Sequence, residues 1–110
     1  MAIPPGTLDM LILKTLTRVR EQHGFEIAEA IEQTSAGVFA VEEGSLYPAL
    51  QRLLVQGLVA AEWGRTNDNR RARYYRITAA GRRRLEDEVR EYDRVAKAIA
   101  RVLHTAPGVA

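Results

Sequence analysis

Eight arginines fall within residues 65–84, at positions 65, 70, 71, 73, 76, 82, 83 and 84, against the single acid Asp68. A guanidinium keeps its charge at any ordinary pH, and its planar fork of donors matches phosphate oxygens two at a time. The window carries +7 in a chain whose formal net charge is +2, so the remainder is −5. Cations gathered in one stretch of an otherwise acidic chain are the electrostatic footprint of a surface for a polyanion. Charge alone fits a solvated run equally well. The elements that carry the arginines decide between the two.

Other chemistry is sparse. The two histidines, His23 and His104, lie far apart, there is no cysteine, and there is no glycine-rich phosphate loop. Glu42-Glu43 is the only acid pair before the arginine window and has no partner of catalytic type nearby. These absences argue against an enzyme, a metal site and a bound cofactor. The lack of cysteine points to a reducing compartment, and the expected location is the cytoplasm. No apolar stretch reaches membrane-spanning length, and the N-terminus does not read as a signal peptide. The 110 residues amount to one domain's worth of chain.

Residues 8–19 place Leu8, Leu11, Ile12, Thr15, Leu16 and Val19 on one helical face, with Thr7 as a candidate N-cap. Met10 and Leu13 fall off this stripe. A helix apolar on two sides is covered on both, and a partner subunit would do that. Gly24–Gln33 reads as a second helix, with Ile27, Ala28 and Ile31 inward. Ser45 opens a third, with a hydroxyl able to cap it and Pro48 in its first turn. Leu46, Leu50, Leu53 and Leu54 form its buried stripe, and Gly57 lies where a C-terminal glycine belongs. Tyr47, Pro48, Gln51 and Arg52 are left nearer the outer face. Leu58–Gly64 and Arg71–Thr78 are strand candidates around a turn rich in Asn and Asp, which tolerate left-handed backbone. Thr78 caps a last helix to about His104. Its Leu85, Val89, Tyr92, Ala96, Ile99 and Leu103 recur at intervals of 4, 3, 4, 3, 4, a heptad seam. At roughly 38 Å this helix is too long for a three-helix core to cover. The tail, Thr105–Ala110, is expected to fray.

Three helices, a two-stranded hairpin and a long helix make a mainly α fold with a small β-hairpin. This is the winged helix-turn-helix plan over residues 1–78, followed by a C-terminal dimerisation helix and short tail over 79–110. In that plan the third helix lies in the major groove of double-stranded DNA, and the wing runs along the backbone. Gln51 and Arg52 can bond base edges there. Arginines on a hairpin tip can bond phosphates and displace counterions.

The motifs carry a resemblance as well. Gly6-Thr7-Leu8-Asp9-Met10-Leu11-Ile12-Leu13-Lys14-Thr15-Leu16, His23-Gly24-Phe25-Glu26-Ile27-Ala28 and, most specifically, Gly44-Ser45-Leu46-Tyr47-Pro48-Ala49-Leu50-Gln51-Arg52-Leu53 resemble the three helices of the PadR family of bacterial transcriptional regulators. Trp63-Gly64 and Asn69-Arg70-Arg71-Ala72-Arg73-Tyr74-Tyr75 resemble its wing, and Thr78-Ala79-Ala80-Gly81-Arg82 the start of its last helix. The resemblance implies a homodimeric repressor of the family's shorter branch, with one C-terminal helix packed against the first helix of the partner. Some family members respond to phenolic acids or flat apolar compounds at the dimer interface, which implies a possible small-molecule effector. Here the last helix offers Tyr92 and no tryptophan. Arg18–Gln22 stands where the family often has Gly-Pro, and Phe25 replaces a tyrosine, removing a hydroxyl.

The expected DNA-binding residues are therefore Ser45, Tyr47, Pro48, Gln51, Arg52, Asn67, Arg70, Arg71 and Arg73. The expected dimer residues are Met10, Leu13, Leu85, Val89, Tyr92, Ala96, Ile99 and Leu103. Tyr47 can contact DNA or prop the third helix against the second. Strand alternation sets Arg71 and Arg73 on one face and Arg70 on the other, unless the turn twists Arg70 out of pattern. Trp63, Tyr74 and Tyr75 are expected in the core, and His23 as a hydrogen-bonder at a helix start. A winged helix used for protein contact is the competing class. Apolar or acidic residues on the wing would favour that use, and five arginines between 65 and 76 do not.

Overall fold

The computed structural model describes residues 1–4, 6–106 and 108. The first helix, α1 (Leu8–Leu16), is shorter than its apolar pattern. Its end tightens into three-residue turns: the Thr17 and Arg18 amides donate to the Lys14 and Thr15 carbonyls at 3.1 and 3.2 Å. Val19 is left exposed. Thr7 occupies the N-cap position but makes no capping bond with its side chain.

A strand not foreseen from the sequence follows. β1 (Gln22–His23) pairs antiparallel with the distant strand β3, Gln22 opposite Tyr75 and His23 opposite Tyr74. Two residues give no periodicity to detect, so only the tertiary pairing defines it. His23 then caps α2 (Gly24–Thr34). The Glu26 amide donates to His23 Nδ1 at 3.4 Å, and the His23 amide donates to Glu26 Oε1 at 3.2 Å. This reciprocal pair satisfies two amides that the first turn would otherwise leave free.

The third helix, α3 (Glu43–Val55), starts two residues before Ser45. Glu42 is its N-cap, and the Ser45 and Leu46 amides both donate to the Glu42 carbonyl. Ser45 thus lies inside the first turn and does not cap. Pro48 is in the second turn, where its missing N–H costs the bond to the Gly44 carbonyl. The helix ends in a Schellman motif: the Leu58 amide reaches the Leu53 carbonyl at 2.9 Å and the Gly57 amide the Leu54 carbonyl at 3.1 Å. Gly57 takes φ +73°, which a side chain would strain.

β2 (Val59–Arg65) and β3 (Arg71–Ile77) form the wing, in register from Val59–Ile77 to Arg65–Arg71, and the sheet order is β1-β3-β2. Thr78 accepts from the Gly81 amide at 3.0 Å to cap α4 (Ala79–Leu103), and its hydroxyl donates to the Gly57 carbonyl at 2.7 Å. One side chain therefore joins the end of α3 to the start of α4.

The core is Ile12, Leu13, Leu16, Ile27, Ile31, Leu46, Ala49, Leu50, Leu53, Leu58, Val59, Tyr75 and Leu85. Two expected dimer residues are corrected by it. Leu13 is 0 % exposed and Leu85 7 % exposed, both packed inside their own protomer. The single-helix pattern made Leu13 look like an outward residue because it could not show how far the neighbouring elements wrap around α1. Beyond Leu85, α4 leaves the body. The radius of gyration is 16.5 Å, against about 13 Å for a compact chain of this length. The long axis is 63 Å, the others 28 and 22 Å. Val89, Tyr92, Ile99 and Leu103 are exposed along the projecting part, and Ala96 is half-buried. Met10 is half-buried against the core. The tail expected to fray includes Pro107, Val109 and Ala110, which lie outside the described residues.

Candidate nucleic-acid interface

A cleft of about 1010 Å³ opens between the start of α2, the outer face of α3 and the wing. Tyr47 and Gln51 border it from α3, the cap residue His23 with Gly24, Phe25 and Glu26 from the start of α2, and Trp63, Thr66, Asn67, Asp68, Arg70, Arg71, Ala72, Arg73 and Tyr75 from the wing side. Residues as far apart in the chain as His23 and Tyr75 thus face one space.

Tyr47 takes the propping role, one of the two the sequence left open. Its ring lies over Gly24, where a Cβ would meet Tyr47 Cε1 at 3.0 Å and its hydroxyl oxygen at 3.1 Å. The glycine of the His-Gly motif is therefore the seat for an aromatic residue of α3. Tyr47 remains 48 % exposed, so it props the helix and still borders the cleft. Gln51, one turn on, is exposed beside it.

Ser45, Pro48 and Arg52 lie on another flank of α3. They line a separate hollow of about 310 Å³ with the N-terminal residues Ile3 and Pro4 and with Leu8. Arg52 Nη2 donates to Asp9 Oδ1 of α1 at 3.0 Å. Asp9, far away in sequence, draws the guanidinium toward α1, and Arg52 does not line the cleft that Gln51 borders. Ser45 and Pro48 are exposed but do not share the cleft with Gln51.

The wing tip is built by its own hydrogen bonds. The Thr66 amide donates to the Arg70 carbonyl at 2.8 Å, the Asn69 amide to the Thr66 carbonyl at 2.9 Å, and the Arg70 amide to Thr66 Oγ1 at 3.2 Å. Asn69 has φ +59°, the left-handed backbone expected of a turn former. Arg65 Nη1 donates to the Asn69 carbonyl at 3.2 Å and so braces the turn. Arg70 precedes β3 and escapes its alternation, and Arg70, Arg71 and Arg73 all border the cleft. Arg76 lies on the opposite face, 3.4 Å from Glu62 Oε1.

Trp63 was expected in the core and is 60 % exposed. It stands directly opposite Arg73 in the ladder, with Arg71 on the diagonal toward the tip. Arg71 Cζ lies 4.3 Å from the indole centroid and Arg73 Cζ 5.9 Å, both within cation–π range. Period-2 alternation along Arg71, Arg73 and Tyr75 was the available signal for this grouping, once register is known. The other two aromatics differ. Tyr75 is buried, and burial pushes its phenol above the usual value, with Arg73 pulling it down and Tyr47 pushing it up. Tyr74 is half-buried, donates from its hydroxyl to the Arg65 carbonyl at 3.1 Å, and meets the His23 ring edge-on at 5.4 Å.

Three helices, a sheet with an arginine-bearing wing and a projecting fourth helix define a winged-helix protein. Residues 12–87 match the model of the transcriptional regulator PadR-like family, and the chain belongs to that family. It is accordingly a transcriptional regulator and not an enzyme. An uncharacterized protein of Lysinibacillus sphaericus is 32% identical over 94 residues, 86% of this chain and 85% of that one. Transcriptional regulator Rv3488 of Mycobacterium tuberculosis is 37% identical over 79 residues, 72% of this chain and 70% of that one. Among solved structures, a transcriptional regulator from Clostridium thermocellum superposes with a TM-score of 0.79 at 28% identity, covering 87% of this chain and 92% of its own. Bacillus subtilis PadR, solved in complex with operator DNA, shares the fold with a TM-score of 0.67 at 20% identity, over 76% of this chain and 46% of its own. Among the described residues, no helix is long and apolar enough to cross a membrane.

Proposed function

We propose that this PadR-family regulator binds double-stranded DNA as a homodimer in the cytoplasm and represses transcription from a roughly two-fold symmetric operator. The observation that carries DNA as the partner is the cleft in which Tyr47 and Gln51 of α3 face Arg70, Arg71 and Arg73 of the wing. A helix fits the major groove, and a glutamine there bonds the N6 and N7 edge of adenine with both ends of its amide. Guanidiniums beside it neutralise phosphates and set the register without reading sequence. The operator complex formed by Bacillus subtilis PadR, which has this fold, supports the same use here. The dimer rests on the apolar seam Val89, Tyr92, Ala96, Ile99 and Leu103, which the protomer leaves largely uncovered, with Met10 of α1 as a candidate contact. A small aromatic effector at that interface would meet Tyr92. A dimer melting temperature unmoved by a panel of aromatic ligands would count against it.

Selection of bound sequences from random duplex DNA tests the reading. The expected product is a two-fold symmetric site with half-sites about 34–36 Å apart, or a multiple of that. Binding of the selected duplex, followed by anisotropy, should weaken steeply with salt. Arg70→Ala and Arg71→Ala should weaken all sequences alike and each flatten the salt slope by about one, whereas Gln51→Ala should change the preferred sequence. No enriched sequence, or affinity indifferent to salt, overturns the proposal.

A further inference from the structure

The one tryptophan of the chain is also the most conspicuous departure from the expected core. An indole is costly to leave half in water, and Trp63 contributes little to the hydrophobic centre from the middle of β2. What it touches instead is cationic. Arg73 is its ladder partner and Arg71 its diagonal neighbour, at 5.9 and 4.3 Å from the ring centroid. Direct and diagonal cross-strand neighbours are the pairs that long side chains can span on one face of a sheet. The Nε of Arg73 is buried and without a hydrogen-bond partner, so no such bond at that atom sets the direction of its guanidinium. Arg76, on the other face, has a carboxylate partner, and Arg65 has a carbonyl. Arg71 and Arg73 lie over an aromatic face, which attracts a cation without using up its hydrogen-bond donors.

We propose that Trp63 is a positioning residue of the wing: its indole holds the Arg71 and Arg73 guanidiniums on the cleft side of the sheet, where their outer edges can meet phosphate. This rests on the DNA reading above. An arginine side chain otherwise samples many rotamers, and binding must freeze them. Held on a rigid ring, the two cations meet the backbone already aligned. The indole acts through them and needs no contact with DNA of its own.

Two measurements test this, the first independent of DNA. Because Trp63 is the sole tryptophan, fluorescence excited on the red edge, beyond tyrosine absorption, reports it alone. Arg71→Ala should raise acrylamide quenching of that emission about twofold, and Arg76→Ala should leave it unchanged. Quenching that is the same in the Arg71→Ala variant and the wild type means there is no stack in solution and overturns the proposal. The second is a double-mutant cycle on the selected duplex. Trp63→Leu should weaken binding roughly three- to fivefold, the equivalent of an exposed cation–π contact, and Trp63→Phe should restore most of the loss. In an Arg71→Ala, Arg73→Ala background, Trp63→Leu should then cost less than about 1.5-fold. An equal loss in both backgrounds would show that the indole touches DNA or shapes the wing directly, and it overturns the positioning role. If no duplex is bound even by the wild type, the DNA reading fails and the purpose of the stack falls with it, while quenching still reports the stack.

Discussion

Replacing Gly81 with alanine tests how α4 is seated on the winged domain. A Cβ at position 81 would stand 2.1 Å from the Leu58 carbonyl oxygen and 2.8 Å from Ile77 Cγ1. The oxygen is backbone and already accepts from the Thr78 amide at 3.1 Å, so it cannot swing away as a side-chain tip would. Relief requires α4 and the end of α3 to part by about 1 Å, which loosens Thr78 from both the Gly81 amide and the Gly57 carbonyl. Overpacking of this kind costs about 1–3 kcal/mol and occasionally more, and a clash with backbone belongs at the upper end. Alanine returns about 1 kcal/mol of helix propensity. The net expectation is a loss of about 2 kcal/mol. With an unfolding entropy of about 2.1 cal/mol/K per residue, that lowers the melting temperature by about 9 °C. The control is Gly44→Ala on α3, where nothing among the described residues lies within 4 Å of the added methyl and φ is not positive. There the propensity gain stands alone, and a stabilisation of up to about 1 kcal/mol is expected. Thermal and urea unfolding at one fixed protomer concentration measure both. A Gly81→Ala protein as stable as the wild type, or a Gly44→Ala protein destabilised as much as Gly81→Ala, would refute the seating argument.

Other perturbations separate the remaining roles. Ile99→Glu places a charge in the exposed seam of α4 and should shift the protein toward monomer in analytical ultracentrifugation, with duplex affinity falling in parallel; an unchanged sedimentation coefficient rules out the seam as the interface. Arg52→Ala removes only the half-exposed pair with Asp9, so it should cost up to about 1 kcal/mol of stability and leave the selected DNA sequence unaltered. Burial pushes the Glu88 carboxyl above the ordinary carboxylate value of 4.5, with Arg84 pulling it down and Asp9 raising it. The folded protein therefore holds this proton more tightly than the unfolded chain does, and stability falls as pH rises through the window just above 4.5. Glu88→Gln should flatten the stability profile there, and a profile identical to the wild type would show that Glu88 does not cause the slope.

The sequence by itself determined the elements that carry their own local signal. α4 was legible because Thr78 and the heptad run from Leu85 to Leu103 state its start, face and length. The wing was legible from two strands flanking an Asn- and Asp-rich turn, and the +7 window marked where the positive charge gathers. Only the tertiary structure decided which partners these residues face. β1 exists because β3 lies beside it. Arg52 lies away from the cleft, paired with Asp9 on another helix. Leu13 is buried because its own protomer closes over both sides of α1. Trp63 leaves the core because the register of the hairpin sets it against Arg73 and Arg71. Helical and strand periods are local properties of backbone geometry and can be read along the chain. Burial and charge pairing depend on neighbours distant in sequence, and those are chosen only when the elements pack.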